Sequence, residues 1–191
     1  MENSQKTGGI ENTLVYWLAQ EISHLNHIFI TRYIPRTTRT FDQMEQANRS
    51  GKQNLVEGSL ENSVESNLKL SGVSRASYGE LTEDYKDFLF KKGFPVWDKN
   101  DPRVFRLRKI LIDIHETHVS HDAQAWHEIR FDDQESFANL MMTLCIKQGF
   151  LMDRFLTGIK NRFVREGGFR EKLFLARRKA LHETHGAHET H

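Results

Sequence analysis

The chain has 191 residues, 38% of them hydrophobic and 28% charged, with a mean hydropathy of -0.62. That balance suits a globular chain able to bury a sizeable core, and three prolines and twelve glycines exclude a collagenous or low-complexity polymer. The net charge of +1 hides an uneven distribution: residues 32–52 hold five Lys/Arg against two acids, 119–139 one Arg against five acids, and 140–181 ten Lys/Arg against three acids, or +3, -4 and +7.

The opening MENSQKTGGIEN has no basic patch followed by an apolar stretch, so it does not read as a secretory signal. No apolar run reaches the roughly 18 residues of a membrane span. The lone Cys145 has no partner for an intramolecular disulfide and favours a reducing compartment. The expected location is the cytoplasm.

In chain order, the spacing predicts a first helix over 13–34. Leu14, Leu18, Ile22, Leu25 and Phe29 form its stripe, Trp17, Ile28 and Tyr33 widen it, and Pro35 follows its end. A weaker helical pattern covers 40–58 through Phe41, Met44, Ala47 and Leu55. There Gly51, inside RSGKQN, marks a close helix approach, a kink or an exposed backbone, because Gly in a helix interior costs about 1 kcal/mol relative to Ala. A third helix spans 64–92, with Leu70, Val73, Ser77, Leu81, Tyr85 and Phe88 near one face. Gly72, Ser74, Ala76, Ser77 and Gly79 make its middle small enough for another backbone to approach, and Gly93 with Pro95 stops it. Pro102 opens a shorter helix to about 118, and 119–131 reads as a loop. The longest pattern runs from 133 to 166 through Phe137, Leu140, Met141, Leu144, Leu151, Phe155, Ile159 and Phe163. Gly167 and Gly168 end it, and a last helix over 169–181 uses Phe169, Leu173, Ala176 and Ala180. No alternating strand pattern occurs. The expected class is all-α: an antiparallel up-and-down four-helix bundle in one domain, with 93–131 as an insertion and 182–191 as a His-rich tail.

Catalytic signatures are sparse. There is no Gly-rich phosphate loop and no GxSxG elbow. HETH, at 115–118 and twice in 182–191, spaces its histidines three apart, not the four of HExxH. His24 with His27, His115 with His118 and His121, and the tail histidines are each close enough on a helix to share a metal ion; with no thiolate or carboxylate framework beside them, surface histidines and at most an adventitious tail site are the favoured reading, and no metal site is expected. Glu83/Asp84 and Asp132/Asp133 are consecutive residues that point in different directions on a helix, so they read as solvated acids. Cys145, set among Met141, Met142, Leu144 and Ile146, reads as an inert core thiol. No cofactor is expected, and no enzyme activity.

The basic sets bear on polyanion binding, which needs several cations in register. Arg32, Arg36 and Arg39 surround the first turn, Arg49 and Lys52 follow, and Lys160, Arg162, Arg165, Arg170, Lys172, Arg177, Arg178 and Lys179 cluster about the GG break. A solubilising helix face is the competing reading.

RSGKQNLVEGS at 49–59, LKLSGVSRASYGELTEDYKDFL at 68–89, TRTFDQM at 38–44 and REGGFREKL at 165–173 resemble the four-helix-bundle suffix-domain proteins. These are similar to the bacterial 23S rRNA intervening-sequence protein family and to the accessory variability proteins of diversity-generating retroelements. The resemblance covers most of 28–179. It implies a homopentameric barrel of non-enzymatic subunits that bind RNA or another nucleic acid, or a nucleoprotein partner such as a reverse transcriptase. Carried over by position, it makes Arg49, Lys52, Gln53 and Asn54 candidate polar contacts. With the charge clusters, the expected nucleic-acid-binding set is Arg36, Arg39, Arg49, Lys52, Gln53, Asn54, Lys160, Arg162, Arg165, Arg170, Lys172, Arg177, Arg178 and Lys179. Gln43, Gln46, Asn48, Gln53 and Asn54 load one helix with amides, which suit a buried interface, where they must pair, and a surface for phosphates and base edges. A structural scaffold without nucleic-acid binding is the alternative.

Overall fold

The computed structural model describes residues 9–107 and 131–186, apart from the side chains of 166, 170 and 182–186. The HETH at 115–118, the second half of the predicted short helix and the loop over 119–130 lie outside the described residues.

Four long helices dominate: α1 (Leu14–Tyr33), α2 (Arg39–Leu60), α3 (Val64–Lys92) and α4 (Gln134–Glu166), followed by α5 (Phe169–Gly186). No strand occurs among the described residues. Each long helix starts at a short polar residue whose side-chain oxygen accepts a backbone N–H of the first turn: Thr13 from Tyr16, Thr38 from Phe41, Ser63 from Ser66 and Asp133 from Ser136. Asp133 is thus a cap. Gly93 (φ 70°) closes α3 in the left-handed region. The α1–α2 and α2–α3 links span only 34–38 and 61–63, which forces antiparallel neighbours.

Cross-links fix the order of the helices around the bundle. Asn26 and Asn48 tie α1 to α2 through Met44 O and Ser23 Oγ. Ser74 Oγ donates to Gly51 O at 2.6 Å, joining α3 to α2, and Arg75 pairs with Asp153 of α4 at 3.0 Å. Gln148 Nε2 of α4 donates to Val15 O of α1 at 2.9 Å, closing the ring. All four neighbouring pairs are antiparallel and α2 lies diagonally across from α4, the up-and-down arrangement expected.

The core is aromatic at one end. Phe29 stands edge to face with Tyr33, Tyr85, Phe88 and Phe137, at centroid distances of 4.9–5.3 Å. The crossover after α3 is pinned there too. Asn139 Oδ1 accepts the Trp97 backbone N–H at 2.8 Å, its Nδ2 donates to Pro95 O, and the Trp97 indole donates to Glu135. The short helix starts at Pro102 as expected, and Val104 and Leu107 are buried.

Some expected faces shift. RSGKQN does not break α2: the helix runs through it, and Gly51 lets the buried Tyr78 ring lie against the backbone. Close approach was one of three readings of Gly51, and it is the one found. The buried face of α3 passes through Asn67, Ser71, Ser74, Ser77 and Tyr78, whereas Val73 is 41% exposed. Ser71 and Ser74 let α3 press onto Gly58 and Gly51 of α2; Gly72, Ala76 and Gly79 take no part in that seam. Trp17 is 44% exposed, because Val15, Leu18, Ala19 and Ile22 fill the interior side of α1. Cys145 is buried, and burial together with the nearby Asp84 charge pushes its thiol pKa well up, as expected for an inert core thiol.

Candidate nucleic-acid interface

The predicted basic residues fall into three places. Arg36 and Arg39 sit at the end of the bundle that carries the α1–α2 link. Arg49, Lys52 and Gln53 lie on the outer side of α2 and line an open groove of about 660 Å³ between α1 and α2, with Ser23, Asn26 and His27 opposite. Lys160, Arg162, Arg165, Lys172, Arg177, Arg178 and Lys179 are all exposed at the far end of α4 and along α5. The side chain of Arg170 lies outside the described residues. At about 1.5 Å per residue, α2 alone spans roughly 33 Å, so the Arg36/Arg39 pair and the 160–179 cluster occupy opposite ends.

The RSGKQN segment divides around its helix. Arg49 Nε donates to Gln53 Oε1 at 3.2 Å, so these two polar groups engage each other. Asn54 Nδ2 donates to Ser50 O at 2.9 Å and Ser50 Oγ at 3.1 Å, which holds it to its own helix. Of the amides, Gln43, Gln46 and Gln53 face solvent, Asn54 is half-buried and Asn48 is buried. The internal amide links instead come largely from Asn26, Asn139 and Gln148, which the periodicity did not single out.

Acids edge the same helix. Asp42 and Glu45 share the α1–α2 groove with Arg49 and Lys52. A second groove, of about 770 Å³ between α2 and α3, is lined by Arg39, Asp42, Glu80, Glu83 and Asp84. Burial, helped by Asp87 and Glu80, raises the Asp84 pKa above the ordinary carboxylate value. The flanks of α2 therefore carry both signs of charge.

The far end differs. Among the described residues, Lys160, Arg162, Arg165, Arg177 and Arg178 form no ion pair. Two glycines set the direction of α5. Gly167 has φ 72° and ψ 172°, a backbone region open almost only to glycine. The Gly168 N–H donates to Glu171 Oε2 at 2.8 Å, capping α5. A β-carbon on Gly168 would stand 2.7 Å from Glu65 Oε1 and 2.9 Å from the Phe163 ring. Phe169, Leu173, Ala176 and Ala180, the expected stripe of this last helix, are exposed on α5, as are Phe174, Leu175 and Leu181.

One cluster was not among the expected site residues. Phe150 on α4 is 53% exposed, with Lys147 Nζ 5.7 Å and Arg154 Cζ 5.8 Å from its ring centroid. The signal was present as cation, aromatic and cation at spacings of three and four, which share one helix face. His24 and His27 are exposed, and among the described residues no group of three His, Cys, Asp or Glu is placed to hold a metal ion. No helix among the described residues is long and apolar enough to cross a membrane. The chain matches no family model, no curated protein and no solved structure.

Proposed function

We propose that this chain is a non-catalytic accessory protein of the four-helix-bundle suffix-domain type that assembles as a homopentamer. It binds RNA, or a nucleoprotein such as a reverse transcriptase complex, through its basic faces and uses no cofactor. The observation that carries this reading is the set of exposed cations Lys160, Arg162, Arg165, Lys172, Arg177, Arg178 and Lys179. Five of them, Lys160, Arg162, Arg165, Arg177 and Arg178, have no ion-pair partner among the described residues. Unpaired, solvent-facing cations grouped at one end give the several phosphate contacts that counterion release requires, and a ring of subunits would repeat that end around an axis. Arg49 and Lys52 join less readily, because Asp42 and Glu45 share their groove.

A second reading has its own support. Leu173, Phe174, Leu175 and Leu181 are more than half exposed on α5, and exposed apolar side chains suit a protein partner. In that reading the assembly is a scaffold.

The test is charge reversal of Arg177, Arg178 and Lys179 to Glu, followed by RNA binding over a salt series and native mass spectrometry. Lost RNA binding with unchanged helix content and subunit number supports the proposal. Unchanged RNA binding refutes the assignment to this end, and a wild-type monomer refutes the oligomer.

A further inference from the structure

Basic helix ends attract any polyanion, but an aromatic ring displayed between two cations selects among them. Phe150 lies mid-way along α4, on the side turned away from the neighbouring helices. Gln148 reaches α1, while Gly149 and Asp153 lie against Arg75 of α3. At about 100° per residue, Phe150 stands some 200° around the helix from Gln148. Its exposure follows from that position, since α4 packs chiefly on α1 and α3 among the described helices.

The cations beside it continue as a row. Lys147, Arg154 and Arg165 are separated by seven and eleven residues, which places them within about 20° of one another on the helix surface and spreads them over about 27 Å. Arg154 and Arg165 are exposed, Lys147 is half-buried, and none of the three forms an ion pair with another described residue. The single acid of that stretch, Asp153, is already held by Arg75 in a two-point contact at 3.0 and 3.2 Å. The row leads into the Lys160–Lys179 cluster.

We infer that the outer face of α4 is a track for single-stranded nucleic acid, in which a base stacks on Phe150 and the flanking phosphates lie against Lys147, Arg154 and Arg165. The inference rests on the nucleic-acid reading above and narrows its ligand from any polyanion to an unpaired strand. A base in a duplex is already stacked on both sides, so its π-face is closed to a side chain on the protein surface. In a single strand that face is available, and stacking on an aromatic works with any base. Lys147 Nζ and Arg154 Cζ stand 5.7 and 5.8 Å from the ring centroid on long side chains, so a base that stacks on Phe150 displaces them from the ring toward the phosphates on either side of it.

Fluorescence anisotropy with a short fluorescein-labelled oligouridylate, and with a duplex RNA of the same length, decides the matter on the full-length protein. Phe150→Ala should weaken the single strand about tenfold and leave the duplex nearly unchanged. Phe150→Tyr should restore binding and Phe150→Leu should not, which separates stacking from simple apolar contact; circular dichroism checks that each variant is folded. Replacing Lys147 and Arg154 together by Gln should lower the slope of log affinity against log salt by about 1.4, two contacts at roughly 0.7 each. If the wild type binds the oligouridylate and Phe150→Ala binds it equally well, or loses single strand and duplex alike, the inference fails and the broader reading stands. If the wild type binds neither RNA at low salt, both fall.

Discussion

Two glycines in helix interiors, Gly51 of α2 and Gly72 of α3, should respond in opposite directions to the same substitution. Ala is favoured over Gly inside a helix by about 1 kcal/mol, so without tertiary contacts both Gly→Ala changes stabilise. At Gly72 a new β-carbon meets nothing within 4 Å. Gly72→Ala should therefore keep the whole gain, raising Tm by about 2–4 °C for a chain of this size. At Gly51 the β-carbon would stand 2.9 Å from Cζ of Tyr78, with two further ring atoms at 3.1 and 3.2 Å. That ring is fully buried, so it cannot swing clear. Moving it also disturbs the 2.6 Å bond from Ser74 to Gly51 O. Overpacking of this kind costs about 1–3 kcal/mol; taking about 2, the net loss after the propensity gain is about 1 kcal/mol. The two variants should then differ by about 4–8 °C in Tm, measured by circular dichroism at one protein concentration so that assembly does not confound the comparison. Equal stabilisation by both would refute the claim that the α2–α3 seam depends on a bare backbone at Gly51. A second check is coupling: in a Tyr78→Leu background, Gly51→Ala should lose most of its penalty.

Two further outcomes follow from Tyr85 in the core and from the half-buried Asp84 at its edge. Tyr85→Phe removes the hydroxyl that donates to Asn26 Oδ1 at 2.7 Å in the core. Stranding that acceptor should cost about 1–3 kcal/mol in urea unfolding, and an unchanged midpoint would show that Asn26 has another partner. The Asp84 pKa is raised by burial and by Asp87 and Glu80. The folded state therefore holds this proton more tightly than the unfolded chain, and stability falls as pH rises through the ordinary carboxylate range toward neutrality. Asp84→Asn should accordingly raise Tm at pH 7, with the gain vanishing as pH drops below about 4; a gain independent of pH would refute the electrostatic cause.

How much was legible in the sequence varied with the range of the interaction. Stripe residues such as Ile22, Phe29, Leu81 and Leu144 were found buried where the 3.6-residue period put them. Trp17 and Val73 fitted the same stripes and are substantially exposed, because a period gives the direction of a face and not its width. Neighbouring helices decide where coverage ends. The basic residues show the same limit. Their clustering along the chain was readable, but 32–52 and 160–179 lie at separate places on the bundle. Phe150 lies off the predicted α4 stripe, and a position off the stripe does not by itself say which cations stand beside it; the folded helix sets it between Lys147 and Arg154.

The chain's own local chemistry was enough to set the helices: apolar period, short polar caps at Thr13, Thr38, Ser63 and Asp133, and glycines after α3 and α4. These are interactions within a few residues, which the unfolded chain already brings together. Only the tertiary structure decided which faces meet. It set Gly51 against Tyr78, joined Gln148 to Val15 across 133 residues, and left Phe150 facing outward between Lys147 and Arg154. The physical reason is that such contacts join groups far apart in the chain, and their pairing depends on how all four helices share one core.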